Sequence, residues 1–586
     1  MHHRCIFFFL LLVFYVKLGH GEIQPTVCLE DSGDCYRGSW STTKDIGFAS
    51  FQGIRYAQPP IGDLRFKPPQ PLKKPSDDHS NNNVFHDVSI ESKVKCPQLS
   101  LFSKTKKGQE DCLMLNIYVP EVEFSRGKRK LPVMVWIHGG ALLIGSNNYN
   151  ENGPKHFMKK EIVMVTVNYR LGPLGFLSMG TDSVPGNVGL RDQNMALKWV
   201  KKNIAAFGGD PNSVTLFGES AGSLSVSLHL ISPMSQGLFH RIILQSGTAL
   251  APAWGPINPQ HALYYRDLFL EKMECGPDQD VVDPLTCLQD KPLKKILAST
   301  DLMDKAAIWM PVPDANFTSE PFLPGNPEDL MSNGEFNTDI EVIIGTTADE
   351  GIIYLARTLL SGSWGEFKTR LNNMGPKYLF NIANKSEVTN THRENVQKII
   401  EFYIGASSRI NEEDEDQQEL FDMFTDATFL YGTYKTVNYL VKHNVSVFQY
   451  ILSYEGDYSF VQLYGIWPFV LDPLGVCHGD DLIYLWDPVF NEKVFYEDSL
   501  EGKDAKVREI MISSWTNFAS FGNPTPSSEF SKFNWTTSID FPLENYLDIS
   551  GPEPKMNQFN DKIIKRMKFW ETLEPFNHYF KTEKCL

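Results

Sequence analysis

Ser220 is the first residue of this chain whose setting suggests chemistry. It lies in Val214-Thr215-Leu216-Phe217-Gly218-Glu219-Ser220-Ala221-Gly222-Ser223, an apolar run that meets a small-residue turn and continues into helix-compatible sequence. A Gly-x-Ser-x-Gly turn closing a strand forces the serine onto a cramped strand-to-helix corner, and the glycines relieve the crowding any Cβ would cause there. The corner lifts the hydroxyl off the sheet edge. It also aims the first amides of the next helix at the space where a carbonyl oxygen would sit, so that their partial positive charge stabilises an oxyanion. Many glycine-rich turns produce the same pattern, so the nucleophile reading needs partners.

Three further stretches supply them. Trp136-Ile137-His138-Gly139-Gly140-Ala141 follows an apolar run and offers small residues whose amides can turn inward. Gly140 and Ala141 are read as oxyanion donors beside Ala221. Ile343-Ile344-Gly345-Thr346-Thr347-Ala348-Asp349-Glu350-Gly351 sets Glu350 just past a strand end, where it can orient an imidazole. Gly475-Val476-Cys477-His478-Gly479-Asp480-Asp481 sets His478 in a glycine-flanked loop. Taken singly, these are a glycine turn, an exposed carboxylate and an ordinary histidine. Their order is more specific: Ser220, Glu350 and His478, separated by 130 and 128 residues, run nucleophile, acid, base. That is the order of the α/β-hydrolase fold and not of the serine proteases.

Residues 223–231 contain neither Gly nor Pro, and Pro233 marks the end of the helix expected after the serine. Residues 22–130 carry short apolar runs broken by Pro and Gly, which read as antiparallel strands with loops. Buried strands are expected at 113–119, 133–137 and 162–167. The pattern then alternates: a helix at 196–205, a strand at 214–217, the helix after Ser220, and a strand at 242–245. Beyond residue 255 helical stretches dominate, with 342–345 and 447–452 the last core strands expected. The acidic run at 411–416 reads as a solvated loop. This alternation predicts an α/β class with a central, mostly parallel sheet flanked by helices. No repeat, long linker or composition shift divides it, so 22–586 is expected to form one large domain.

Of 586 residues, 42% are hydrophobic and 12% aromatic, ample for a large core. A formal charge of −16 and a pI near 5.4 argue against nucleic acid as a partner, since phosphate binding needs a basic face. The N-terminus has Arg4, an apolar run over 5–16, Lys17 and then Leu18-Gly19-His20-Gly21. It reads as a secretory signal peptide over 1–21, too short to span a bilayer. No later segment approaches membrane-spanning length, and the tail over 576–586 lacks the apolar stretch of a lipid-anchor signal. The expectation is a soluble, secreted protein. Eight cysteines remain after the signal, and Cys28 with Cys35, Cys96 with Cys112 and Cys275 with Cys287 read as local disulfides. No Cys-x-x-Cys spacing or accompanying histidine cluster suggests zinc. Cys477 and Cys585 are left to pair with each other, to stay free or, for Cys585 near the chain end, to join a second chain into a dimer. Sequons at Asn316, Asn384, Asn444 and Asn534 fit a glycosylated surface.

The chain resembles the type B carboxylesterases, a cholinesterase-like family of α/β-hydrolases, and among them the secreted arthropod enzymes. The resemblance runs over nearly the whole mature chain. Its most specific motifs are Phe207-Gly208-Gly209-Asp210-Pro211 leading to Gly218-Glu219-Ser220-Ala221-Gly222, and Glu110-Asp111-Cys112-Leu113-Met114-Leu115-Asn116, supported by Asn187-Val188-Gly189-Leu190-Arg191-Asp192-Gln193. By resemblance, Cys96–Cys112 and Cys275–Cys287 are family disulfides, and Arg65 with Glu110 and Arg170 with Asp192 are structural ion pairs.

The resemblance implies a secreted serine carboxylesterase that hydrolyses small-molecule carboxylic esters through an acyl-enzyme on Ser220, with no metal or cofactor. Glu219 is a further candidate for positioning substrate and water. The chain departs from the family pattern in several places. Ala141 stands where glycine is common and Leu142 where an aromatic is usual, so both bear on pocket shape. Between Cys96 and Cys112 there is Phe102 but none of the tryptophan that stacks on choline in cholinesterases, which argues against acetylcholinesterase. Juvenile hormone esterases typically carry glutamine before the serine, where this chain has Glu219, a mild argument against hormone turnover. Trp309, ahead of Pro311-Val312-Pro313, falls near the acyl pocket by resemblance, with a plain core role as the alternative. A specialised hormone or choline ester hydrolase is the second reading. A catalytically silent adhesion or binding protein is the third, disfavoured because all three triad residues are present.

Overall fold

The structure, a computed structural model, describes residues 24–43, 46–73, 84–90, 92–99, 105–127, 129–277, 281–299, 308–355, 371, 373, 375–380, 382, 388–405, 414–462, 475–487, 489–490, 493–494, 500–527, 533–538 and 545–573. The expected signal peptide, Phe102, Asn384 and Cys585 therefore lie outside the described residues.

The described residues build one sheet of eleven strands. At one side β1 (Ser39–Thr43), β2 (Ile46–Arg55) and β3 (Met114–Pro120) run antiparallel. The parallel body comprises β4 (Leu131–Ile137), β5 (Val163–Val167), β6 (Gly209–Glu219), β7 (Arg241–Gln245), β8 (Glu341–Thr347), β9 (Ser446–Leu452) and β10 (Asn545–Ile549). β11 (Lys555–Gln558) closes the far edge antiparallel. The spatial order is β1-β2-β3-β5-β4-β6-β7-β8-β9-β10-β11. Chain order is broken at β5, so the chain crosses back over β4 to reach β6. Such a switch leaves a crevice outside the carboxyl ends of the strands, the usual ligand position in an open α/β sheet.

Strands in the middle of this sheet are buried on both faces, which is why they read as continuous apolar runs. Along β4, Val133, Val135 and Ile137 enter one core cluster while Met134 and Trp136 enter the cluster on the opposite face. The same two-residue alternation divides Val163, Val165 and Val167 of β5 from Met164. The helices include α1 (Val188–Asn203), α2 (Ala221–Ile231), α3 (Asp414–Thr425), α4 (Tyr431–Lys442), α5 (Gly502–Phe521) and α6 (Asp561–Thr572); α1, α2, α4 and α5 pack on the sheet, and α3 and α6 contribute to a further core cluster.

The strands expected from apolar runs all form. α1, however, begins eight residues before the expected start at 196, because its first turns carry Arg191, Asp192, Gln193 and Asn194, polar residues that are buried here. Arg170 Nη2 lies 2.6 Å from Asp192 Oδ1, and Arg191 Nη2 lies 2.8 Å from Asp314 Oδ2. Residues 414–416 of the acidic run open α3 rather than a loop; acids favour a helix N-terminus, where they meet the positive end of the dipole. β10 and β11 were not expected, because Asn-Tyr-Leu-Asp-Ile and Lys-Met-Asn-Gln are short and mixed, and pairing with neighbours makes them strands. Val84–Asp87 pairs parallel with Asp34–Arg37, against the antiparallel expectation for that region.

Cys28–Cys35, Cys96–Cys112 and Cys275–Cys287 form disulfides. Cys477 is a buried free thiol. Arg65 donates to both carboxylate oxygens of Glu110 at 2.6 Å, as the resemblance implied. Asn316, Asn444 and Asn534 are exposed. Among the described residues no helix is long and apolar enough to cross a membrane.

Candidate active site

β6 ends at Glu219 and α2 begins at Ala221, leaving Ser220 on the corner with φ +57° and ψ −123°. A non-glycine residue at positive φ is strained and persists only where its surroundings over-determine it. Here its amide donates to Gln245 O of β7 at 2.9 Å, and its carbonyl accepts from Leu224 N at 2.9 Å. The flanking glycines are required by close approach. A Cβ on Gly218 would sit 2.6 Å from Ile137 O, and one on Gly222 would sit 2.0 Å from the same atom. The end of β4 is thus interlocked with the serine corner.

The loop around His478 comes back over this corner. His478 Nε2 is 2.8 Å from Ser220 Oγ, and Nδ1 is 2.6 Å from Glu350 Oε2. Glu350 is fully buried, which removes the exposed-carboxylate reading, and its Oε1 accepts the Thr347 amide at 2.8 Å. The acid and base loops are tied to each other: Asp349 N donates to Val476 O, and Val476 N donates to Asp349 Oδ2, each at 3.0 Å. Asp480 Oδ2 accepts from Cys477 N at 2.8 Å, while Asp481 Oδ2 accepts from Gln245 Nε2 at 2.7 Å. The Gln245 carbonyl that holds Ser220 and the Gln245 side chain that holds Asp481 belong to one residue, so the serine corner and the His478 loop share an anchor.

One imidazole faces several buried carboxylates. Burial alone would pull the His478 pKa down, but the charges of Glu219 and Glu350 outweigh it and hold the imidazolium above its ordinary range. Glu219 Oε1 is 3.2 Å from His478 Nε2, the nitrogen that also meets Ser220. Burial raises the Glu219 carboxyl despite the attraction of His478. Burial also pushes Asp480 up to about 8 and Asp481 to about 6. In the neutral tautomer that fits these distances, Nδ1–H donates to Glu350 and the Nε2 lone pair accepts the Ser220 hydroxyl.

The oxyanion-loop candidates sit against Ser220. A Cβ on Gly139 would meet Glu219 O at 2.7 Å and Ser220 Cβ at 3.2 Å. Gly140 has φ +104°, Ala141 +56° and Leu142 +59°. Both Leu143 N and Ile144 N donate to Gly140 O at 3.0 Å, closing the turn. The His138 ring stacks on Tyr169 with centroids 4.4 Å apart, and burial lowers its pKa to about 4, so it is a neutral strut. Ala221, first residue of α2, has an amide with no intrahelical partner. Leu142 is fully buried, and its carbonyl accepts Gly172 N at 2.7 Å. Trp309 is 4% exposed and packs edge-on against Phe269 in the same core cluster, so the two side chains are core residues in this structure.

Sequence reasoning missed one neighbour of the imidazole. Phe429 stacks on the His478 ring, centroids 4.4 Å apart, from a single π-helical turn (Asp426–Leu430) between α3 and α4. An apolar residue in an apolar helical stretch carries no signal of such a role. Asp426 holds this turn by bonding to Arg566 of α6. The Asp480-Asp481 doublet beside His478 is a signal visible in the sequence.

The arrangement can deprotonate a hydroxyl, stabilise the resulting imidazolium and receive a developing oxyanion. Comparison with known proteins gives a family. The Carboxylesterase family model matches residues 35–570. The chain is 35% identical to a juvenile hormone esterase of Tribolium castaneum over 89% of each chain. It is 34% identical to a carboxylic ester hydrolase of Bombus ignitus over 96% of this chain and 97% of that one. The crystal structure of a juvenile hormone esterase from Manduca sexta, with OTFP covalently attached, superposes with a TM-score of 0.78 at 28% identity, covering 94% of this chain and 99% of that one. With these alignments running along nearly all of it, the chain belongs to the carboxylesterase family and is a carboxylic ester hydrolase.

Proposed function

We propose that the chain hydrolyses carboxylic esters in two steps through an acyl-enzyme on Ser220. His478 Nε2 takes the hydroxyl proton as Ser220 Oγ bonds to the ester carbonyl carbon. The amides of Gly140, Ala141 and Ala221 receive the negative charge on the carbonyl oxygen. Glu350 holds the imidazole tautomer through Nδ1 and offsets its charge. The imidazolium returns the proton to the alcohol as the ester C–O bond breaks, leaving the acyl-enzyme. A water then gives a proton to His478 as its oxygen bonds to the acyl carbon; the bond from that carbon to Ser220 Oγ breaks, the imidazolium returns the proton to Oγ, and the acid is released. Glu219 places a second carboxylate on Nε2, where it stabilises the imidazolium in both steps. The observation that carries this reading is the continuous run Ser220 Oγ, His478 Nε2, His478 Nδ1 and Glu350 Oε2, with both contacts within hydrogen-bond reach.

The substrates are small-molecule carboxylic esters. The first 21 residues act as a secretion signal, and Asn316, Asn444 and Asn534 carry glycans on exposed surface. The test is turnover of a short-chain aryl ester by the purified protein and by Ser220→Ala, with thermal melts of both. Loss of turnover in a variant that melts like wild type supports the acyl-enzyme. Turnover that survives the substitution overturns it.

A second reading, turnover of juvenile hormone, is favoured by the similarity to the Tribolium castaneum and Manduca sexta enzymes. It requires kcat/KM for juvenile hormone well above that for aryl esters; the reverse ranking assigns the general carboxylesterase role.

A further inference from the structure

The loop from His138 to Gly145 is closed on itself. A Cβ on Gly145, which has φ +110°, would fall 2.3 Å from His138 Nδ1 and 2.7 Å from Gly139 O, so the exit of the loop packs directly on its entry. Between these ends Ala141 and Leu142 both hold left-handed backbone, at φ +56° and +59°. Two successive non-glycine residues in that region are disfavoured, and the loop needs an external hold to keep them there.

Gln98 supplies such a hold. Its Nε2 donates to Gly145 O at 2.8 Å, and its Oε1 accepts Gly145 N at 3.0 Å, so one carboxamide pairs with both backbone groups of the closing residue. The second Nε2 hydrogen goes to Cys96 O at 3.0 Å. Both donors and the acceptor are thereby used, on a side chain whose residue is 7% exposed. Gln98 is itself fixed by the Cys96–Cys112 disulfide and by antiparallel pairing with Lys107. The Gly145 pairing is thus a 47-residue bridge from the disulfide loop to the turn that carries Gly140 and Ala141.

We propose that Gln98 is a positioning residue for the reaction: by clamping Gly145 it holds the Gly140 and Ala141 amides in the conformation that receives the oxyanion. The inference rests on the acyl-transfer reading. The clamp acts two steps removed from the substrate, so its loss should weaken transition-state binding and leave ground-state binding nearly unchanged. Other bonds still support the loop, including Gly172 N to Leu142 O at 2.7 Å and Asn147 N to Asn168 Oδ1 at 2.7 Å, so the loop loosens without the fold being lost.

The experiment compares wild type with Gln98→Glu, which keeps the acceptor but loses both donors, and Gln98→Met, which keeps the length but neither function. Readouts are kcat and KM on a short aryl ester, the inhibition constant of a trifluoromethyl ketone that forms a tetrahedral adduct, and thermal melts. The expected result is a kcat lowered about tenfold, less than the roughly hundredfold seen when an oxyanion donor is removed outright. The ketone should weaken by the same factor, with KM within about twofold of wild type. Folded variants with unchanged kcat and ketone affinity overturn the proposal. So does a KM that rises in step with the fall in kcat, or the failure of both variants to fold, because either would make Gln98 a purely structural residue. Wild-type turnover that survives Ser220→Ala overturns the acyl-transfer reading itself, and the proposal with it.

Discussion

Replacing Glu219 by Gln removes one of the buried carboxylates around His478 while leaving Glu350 and Asp481 in place. The side chains of His478 and Glu219 are 5% and 6% exposed, with Nε2 and Oε1 3.2 Å apart. At an effective dielectric of about 20, two unit charges at this separation attract by about 5 kcal/mol, an upper limit of nearly four pH units. The actual shift is smaller, because burial raises the Glu219 carboxyl and leaves it partly protonated. Glu350 also still holds Nδ1 at 2.6 Å. A shift of about one to two pH units, roughly 1.4–2.7 kcal/mol, is the expectation. The sign follows from which form works. The reaction needs the neutral imidazole, and Glu219 favours the charged one, so in wild type the acidic limb of kcat/KM lies above the ordinary histidine value of 6.5. Removing the carboxylate destabilises the imidazolium, lowers the folded-state pKa and moves that limb to lower pH. The assay is kcat/KM for an aryl ester from roughly pH 5 to 10, corrected for spontaneous hydrolysis, which reports the free enzyme. A limb that stays within about 0.3 unit of wild type, or moves upward, refutes the assigned electrostatics.

Glu350→Gln keeps the shape but removes the charge that fixes the tautomer; kcat should fall by about three to four orders of magnitude while the melting temperature stays near wild type. Asp192→Asn leaves the Arg170 guanidinium buried without its charged partner, in a pair whose side chains are 3% and 0% exposed. Unfolding in urea should show a loss of about 3–5 kcal/mol, and a loss under about 1 would show the pair to be dispensable. Gly222→Ala places a Cβ 2.0 Å from the Ile137 carbonyl oxygen, a backbone atom that cannot swing away. The variant should give no soluble folded protein, and a folded, active variant would refute the interlock between β4 and the serine corner.

The parts that the sequence disclosed are those where one residue type answers a local demand. Gly218 and Gly222 are glycines because Ile137 O leaves no room for a Cβ, and that need is visible as Gly-x-Ser-x-Gly. Strands buried on both faces show as apolar runs because no face is left for polar residues. Elements whose residues are chosen by distant partners were hidden. The first turns of α1 look like surface because Arg191 and Asp192 find their charges only across the fold, at Asp314 and Arg170. β10 and β11 exist because neighbouring strands supply hydrogen bonds that their own composition does not announce.

The same division holds at the site. Local turns and chain order together point to Ser220, Glu350 and His478, since a strand-end serine, an acid and a histidine in that sequence fit one known topology. The tertiary structure decided how they are held. It places Phe429 on the His478 ring from a π-helical turn, sets Glu219 beside the nitrogen that meets Ser220, and pairs Gln98 with Gly145 from across 47 residues. Such contacts join segments that share no local pattern, so only their meeting in the folded chain gives these residues their roles. Backbone demands leave a trace at the residue that meets them, whereas packing and charge pairing are properties of two distant residues together and leave no trace in either alone.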